Sequence, residues 1–292
     1  MTKLLKSAGV SSRRGLLYVT AAIVIVAPPI VWLLSSIPAS RPAPPPSTVR
    51  LAADPAPALR SDLEELARRD PMALVRLGRE FYDRHVREYR CLLTKQELLG
   101  DKLSEVQEIE LRFREQPFAV YMLWRSNADE ARRALFMRGG DFLDDQGRAL
   151  ARVEPNGAIA RLFVRDIFMP IHGPEARRVS RRSIDEAGFR ATFDLLETYN
   201  AVAAERGVLD LRYGGRGVID GRPTYILVRD LPYDGPNGPY PDARMVLHLD
   251  AEWLLPVAVY SYADHEEKQL LGSYLFTQIE LNPGFDEDDF RF

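Results

Sequence analysis

Four histidines, His85, His172, His248 and His265, are the side chains best suited to metal ligation or proton transfer, and no two stand at a ligand spacing. The run His265-Glu266-Glu267-Lys268 lacks the second histidine with which HExxH zinc chemistry places two imidazoles on one helix face. Each lone histidine reads as a surface or satisfied interior residue. Cys91 is the single cysteine, so neither an intrachain disulfide nor a cysteine-based zinc site can form. It stands beside Leu92 and Leu93 in an extended apolar run and reads as a buried inert thiol, a Cys91/His85 pair being the alternative.

Ser273 follows Gly272, but Leu275 stands where a nucleophile elbow needs its second glycine. The GGRG at Gly214–Gly217 joins two extended runs instead of opening a helix, so it reads as a hairpin turn and not as a phosphate loop. Asp286, Glu287, Asp288 and Asp289 lack the spaced calcium-loop pattern, and Asp234, Asn237 and Asp242 read as a rigid Pro/Gly turn. The charged run Glu175–Arg182 reads as a solvated loop, with an anion-binding patch as the alternative. No motif supports catalysis, so the chain is expected to be no enzyme and to carry no cofactor or metal.

These residues sit in a chain of 292, 46% apolar and 28% charged, which is ordinary globular composition. The net charge is −3, and removing the basic Lys3, Lys6, Arg13 and Arg14 leaves about −7 on the remainder. A nucleic-acid partner is therefore not expected.

From Leu16 to Ile37 no residue is charged, and 22 helical residues at about 1.5 Å each span about 33 Å, enough to cross a bilayer core. Basic residues precede this run, so residues 1–15 read as a cytoplasmic segment, 16–37 as a transmembrane anchor and everything beyond as exported. Cleavage near Ile37-Pro38-Ala39, which would release the domain to the periplasm, is the alternative. Residues 38–58 are crowded with proline and form an extended spacer.

Residues 59–292 read as one exported domain. Helices are expected over Asp62–Arg69 and beyond Asp70-Pro71, the second with an apolar stripe through Met72, Val75, Leu77, Phe81 and Tyr82. From Tyr89 onward short extended runs alternate with glycine turns, predicting a β-meander with a bulge near Glu108. A helix over Phe189–Ala204 interrupts it, its start marked by a capping box of Ser183 and Glu186. Two runs, FAVYMLW (Phe118–Trp124) and WLLPVAVY (Trp253–Tyr260), carry no charge on either strand face, so both faces must be covered.

Taken in order, YRCLLTKQELLGDKL, REQPFAVYMLW, RGVIDGRPTYILVR, HLDAEWLLPVAVYSY and YLFTQIELNPGFDEDDF resemble the bacterial family known as domain of unknown function 1571, over residues 75–290. Thr94, Lys95, Gln96, Glu97, Gln116, Pro117, Phe118, Tyr121, Trp124, Asn282, Gly284, Asp289 and Phe290 match its pattern. The closing segment and the WLLP hairpin also resemble, more distantly, the lipoprotein-carrier proteins of the LolA and LolB type. That resemblance implies an α+β, mainly β fold: a curved antiparallel sheet, a half-open β-barrel, wrapped around or capped by helices with an apolar cavity inside. It further implies a periplasmic protein that shelters an acyl chain.

The expected function is non-enzymatic binding of a lipid or acylated protein by a domain held at the bacterial inner membrane and facing the periplasm. Phe118, Tyr121, Trp124, Phe136, Trp253, Tyr260, Tyr274 and Phe276 are the expected cavity residues, although strand alternation must turn some of them outward. An assembly module binding a protein partner of the cell envelope is one alternative. An envelope hydrolase is another, and it would require a carboxylate, hydroxyl or histidine converging in the cavity.

Overall fold

The computed structural model describes residues 61–157 and 166–292. The expected anchor at 16–37 and spacer at 38–58 lie outside these residues. Among the described residues no helix is long and apolar enough to cross a membrane.

Helix α1 (Ser61–Arg69) carries Asp62 and Glu64 in its first turn and Arg68 and Arg69 in its last, matching the helix dipole at both ends. Helix α2 (Pro71–His85) begins at the expected cap: the Asp70 carboxylate accepts from the Ala73 amide at 2.9 Å, and proline fills the first helical position. Its buried face is Leu74, Val75, Gly78 and Tyr82, while Leu77 of the expected stripe stands exposed.

Seven strands follow, β1 (Glu88–Leu99), β2 (Lys102–Leu103), β3 (Gln107–Arg114), β4 (Ala119–Ser126), β5 (Ala131–Met137), β6 (Leu150–Pro155) and β7 (Ile167–Pro170). Helices α3 (Pro174–Val179) and α4 (Phe189–Glu205) come next, then β8 (Asp210–Ile219), β9 (Arg222–Asp230), β10 (Arg244–Asp250), β11 (Pro256–Tyr262) and β12 (Leu270–Leu281). The strands form one antiparallel sheet in the order β7-β6-β5-β4-β3-β1-β12-β11-β10-β9-β8, with β2 paired to β1 off that path. Two meanders thus meet at a central seam where β1 pairs β12. The chain leaves the sheet at one edge strand, β7, and re-enters it at the opposite edge strand, β8. The segment carrying α3 and α4 therefore has to run from edge to edge.

Alternation along each strand sorts the side chains onto two faces. Tyr89, Cys91 and Leu93 of β1, Ile109, Leu111 and Phe113 of β3, and Met245, Leu247 and Leu249 of β10 pack with Tyr82 of α2 and Phe189, Phe193 and Leu196 of α4 in the main core. Tyr89 stacks on Phe113 at 4.9 Å between centroids and meets Phe189 at 4.5 Å. On the opposite face the C-terminal segment covers β4 and β5, with Phe290 buried against Ala119, Tyr121 and Leu135. This explains the uncharged FAVYMLW run: Val120, Met122 and Trp124 face the helices, and Ala119, Tyr121 and Leu123 face the C-terminal phenylalanines.

The bulge expected near Glu108 is present as a register shift between Glu108 and Ile109 in the β3–β4 pairing. Three local expectations are corrected. The Ser183/Glu186 capping box is real but caps a short 3-10 turn over Ile184–Glu186; α4 itself starts after Gly188, whose φ of 94° lies in the left-handed region. The GGRG segment lies inside β8, with a bulge between Tyr213 and Gly215, and the turn to β9 falls at Asp220-Gly221 instead. Strand β7 was not expected, because four residues are too short for alternation to register.

Candidate ligand-binding cavity

Between the helix-side face of the sheet and the edge-to-edge segment lies a partly open cavity of about 400 Å³. One end is apolar, walled by Met122 and Trp124 of β4, Ala134 of β5, Val153 of β6 and Ile167 and Met169 of β7. Val179 of α3 and Leu195, Leu196 and Tyr199 of α4 close it from above. The volume lies in the range that small-molecule sites occupy, and apolar walls with a few polar groups are their usual composition.

The other end carries a polar group of four. Lys95 and Glu97 stand two residues apart on β1, so both project to the helix side. The Lys95 ammonium donates to Glu97 Oε2 at 3.0 Å and to Ser180 Oγ at 3.1 Å, and Ser180 donates to Glu97 Oε2 at 3.0 Å. From the partner strand, Tyr274 donates its hydroxyl to Glu97 Oε1 at 2.6 Å. Glu97 is 1% exposed. Burial pushes its carboxyl up, but the Lys95 charge and the hydrogen bonds from Tyr274, Lys95 and Ser180 outweigh burial and hold it below the ordinary carboxylate value. Burial and then the Glu97 charge push the Tyr274 phenol up, so it stays protonated and keeps donating.

The register extends this polar end across the sheet. Glu97 pairs Gly272, Gly272 pairs Ser261, Ser261 pairs Met245 and Met245 pairs Arg229. Arg229, 2% exposed, donates to both oxygens of Asp242 at 3.0 and 3.2 Å and to Asn200 Oδ1 of α4 at 3.0 Å. The Arg229 Nε of this network has no hydrogen-bond partner. At the apolar boundary the Trp124 indole donates to Gln107 Oε1 at 3.2 Å, and Gln107 donates to Asp129 Oδ2 at 2.8 Å.

Of the expected aromatic residues, Trp124, Tyr274 and Phe276 line this cavity together. Phe118 and Phe136 lie in the core beneath it, edge to face with each other at 5.8 Å, and Arg138 covers the Phe118 ring. Tyr121 is on the opposite face, between Arg112 and Phe292. Tyr260 is also on that face, 6.1 Å from the His248 ring. Trp253 lies in the turn before β11, with the Arg222 guanidinium 3.8 Å above its ring, and lines a separate cavity of about 140 Å³. Period 2 decides this sorting, because residues at odd offsets on one strand cannot share a face.

Lys95, Glu97, Ser180 and Arg229 were not among the expected site residues. A signal for the first two was available: an ion pair at i and i+2 continuing the face of Cys91 and Leu93 is a charge pair on an apolar side. The histidines do not enter the cavity walls. His248 is buried against Thr224 with its Nδ1 3.0 Å from Thr224 Oγ1, and His172 pairs Asp185 at 3.2 Å. Cys91 is buried, and burial raises its thiol pKa. Among the described residues no group of three or more His, Cys, Asp or Glu is placed to hold a metal.

The family model described as "Protein of unknown function (DUF1571)" matches residues 86–292. Sequence comparison finds no match among curated proteins. Solved structures similar to this chain include MucB, at 17% identity and a TM-score of 0.44, covering 77% of this chain and 63% of that one. The lipoprotein LppX of Mycobacterium tuberculosis is similar at 16% identity and a TM-score of 0.41, covering 74% and 98%. A LolA superfamily protein of Nitrosomonas europaea is similar at 8% identity and a TM-score of 0.31, covering 76% and 97%. The chain thus spans less than two thirds of the MucB chain it matches.

Proposed function

The chain belongs to the family described as "Protein of unknown function (DUF1571)", and because that membership assigns no activity we propose a function from the cavity: non-covalent binding of the hydrocarbon part of a lipid or an acylated protein. The supporting observation is a space of about 400 Å³ walled at its β4–β7 end by Met122, Ala134, Val153, Ile167 and Met169, beside a Trp124 indole already committed to Gln107. Moving a methylene from water into such a space gains about 0.8 kcal/mol, so a chain of a dozen carbons can offset the cost of ordering it. We place the domain in the periplasm, tethered to the bacterial inner membrane by residues 16–37.

The test is native mass spectrometry of the full chain purified from bacteria, with extraction of any lipid that accompanies it. A co-purifying amphiphile, lost when Trp124 is replaced by Glu, is the expected result. A chain that carries no lipid and displaces no apolar fluorophore would overturn the reading.

A second reading, hydrolysis of an acyl ester, is favoured by one observation: a carboxylate, two hydroxyls and an amine converge at the cavity end, with Ser180 Oγ 3.1 Å from Lys95 Nζ. Against it, the Lys95 side chain is ion-paired with Glu97 at 3.0 Å, and an ammonium has no lone pair with which to take the Ser180 proton. Release of acid from a chromogenic dodecanoyl ester, abolished by Ser180→Ala, would favour this second reading.

A further inference from the structure

Every charged group of the cavity wall but one has an ion-pair or hydrogen-bond partner. Lys95 is paired with Glu97, Arg229 with Asp242, and Glu130 at the rim with Arg178 at 2.9 Å. Asp129 accepts from Gln107, and Glu186 accepts from the Ser183 amide. Arg182, half-buried in the cavity wall, has no ion-pair or hydrogen-bond partner among the described residues. Its neighbour Arg181 reaches over the gap that Gly272 leaves in the sheet. A Cβ added at Gly272 would lie 3.2 Å from the Tyr274 hydroxyl and 3.5 Å from Arg181 Nη1. Arg181 makes only a long 3.5 Å contact to the Pro241 carbonyl. The positive charges of Arg182 and Arg181 both act on Tyr274, the residue that ties the polar group to β12. With Glu97 neutralised by Lys95, two guanidinium groups at the polar end are left without a carboxylate.

We propose that this end of the cavity is a subsite for the anionic head of a single-chain amphiphile, a carboxylate or phosphate held by Arg182 beside the Lys95–Ser180 pair. The tail then lies along Trp124, Met122 and Val153 toward β7. This rests on the apolar-ligand reading above and adds the chemistry of the head. A guanidinium presents its donors in a planar fork that matches both kinds of oxyanion, and in a half-buried wall an anion gains more from it than in water. The run Glu175–Arg182 is therefore more than a solvated loop: its last residues turn inward at the end of α3.

The test uses the full chain loaded with a neutral apolar fluorophore, phenylnaphthylamine, displaced by dodecanoate, dodecyl phosphate or dodecanol below their micelle-forming concentrations. Either anion is expected to displace the probe at about ten-fold lower concentration than the alcohol, the worth of one charge-assisted hydrogen bond. Which anion competes better identifies the head as carboxylate or phosphate. R182Q is expected to bring both anions to the alcohol's value while leaving the alcohol unchanged, which also shows that the variant folds, and R182K is expected to retain the preference. Equal competition by all three compounds, or a preference that survives in R182Q, overturns the anionic subsite and leaves the apolar cavity standing. Failure of all three, the alcohol included, overturns the cavity reading itself.

Discussion

Tyr274 and Glu97 are joined hydroxyl to carboxylate at 2.6 Å across the β1–β12 seam, the one place where the first strand of the sheet meets the last. The tie therefore links the two meanders and closes the polar end of the cavity at once. Glu97 is also ion-paired with Lys95 at 3.0 Å, and a pair this deeply buried is costly to break on one side only, because the remaining charge has no solvent to return to.

The first prediction follows from that asymmetry. Glu97→Leu alone should destabilise the protein by about 3–5 kcal/mol, since it strands the Lys95 ammonium in the wall. Adding Lys95→Met should restore a large part of the loss. Urea denaturation of the wild type and the two variants measures it; a double variant no more stable than the single would contradict the pairing.

Ala134 faces the apolar end of the cavity from β5, while Trp253 lines only the smaller space near the β10–β11 turn. Ala134→Trp should fill the larger space and weaken binding of an apolar fluorophore by at least about ten-fold, an effect of the size expected when a pocket is lost to overpacking. Trp253→Ala should leave that binding unchanged. Fluorescence titration of both variants, with circular dichroism as a check on folding, tells a specific cavity from general surface hydrophobicity.

A separate prediction concerns pH. His248 is 1% exposed, its Nε2 has no partner, and burial depresses its pKa from 6.5 to about 4. The folded state thus refuses a proton that the unfolded chain accepts. Stability should be unaffected above about pH 6.5 and should fall as pH drops toward about 4, by up to about 3 kcal/mol. The buried Glu97, with its pKa held below 4.5, adds its own loss only at lower pH, so the two windows separate. Unfolding free energies measured between neutral pH and about pH 4.5 should show the slope in the wild type and a flatter curve in His248→Phe.

The C-terminal cover makes the fourth prediction. Phe290 is 2% exposed, packs against Tyr121 and Leu135, and has the Arg114 guanidinium 4.5 Å above its ring. Phe290→Ala should cost about 3–5 kcal/mol, as for other buried phenylalanines. Thermal unfolding would show it; a shift of less than a degree would mean that the segment does not hold the opposite face of the sheet.

Most of the fold was legible because strand alternation and helix caps are local signals. Asp70-Pro71 marked α2, and the run through Val106 to Phe113 betrayed both β3 and its bulge. The two uncharged runs required only that both strand faces be covered; the cavity itself was implied by the carrier resemblance, and three of the aromatics expected there, Trp124, Tyr274 and Phe276, line it. The polar end was harder to read. Ser180 stands 85 residues from Lys95, and Arg229 reaches Glu97's row only through pairings across four strand boundaries. Tyr121 and Tyr260 belong to the two uncharged runs, but each lies an odd number of residues from a wall residue, Met122 and Val259 respectively, and is among those that alternation turns outward. Asn282, noted only as part of a family pattern, proves to be a clamp: its amide accepts from the Arg87 backbone and donates to the His85 carbonyl.

The departure of the chain at β7 and its return at β8 make residues 171–209 a bowstring tied to both tips of the sheet. The width of the hollow is then governed by the length of that string as much as by the residues lining it. Insertions or deletions between α3 and α4 would retune which ligands fit without altering a single strand.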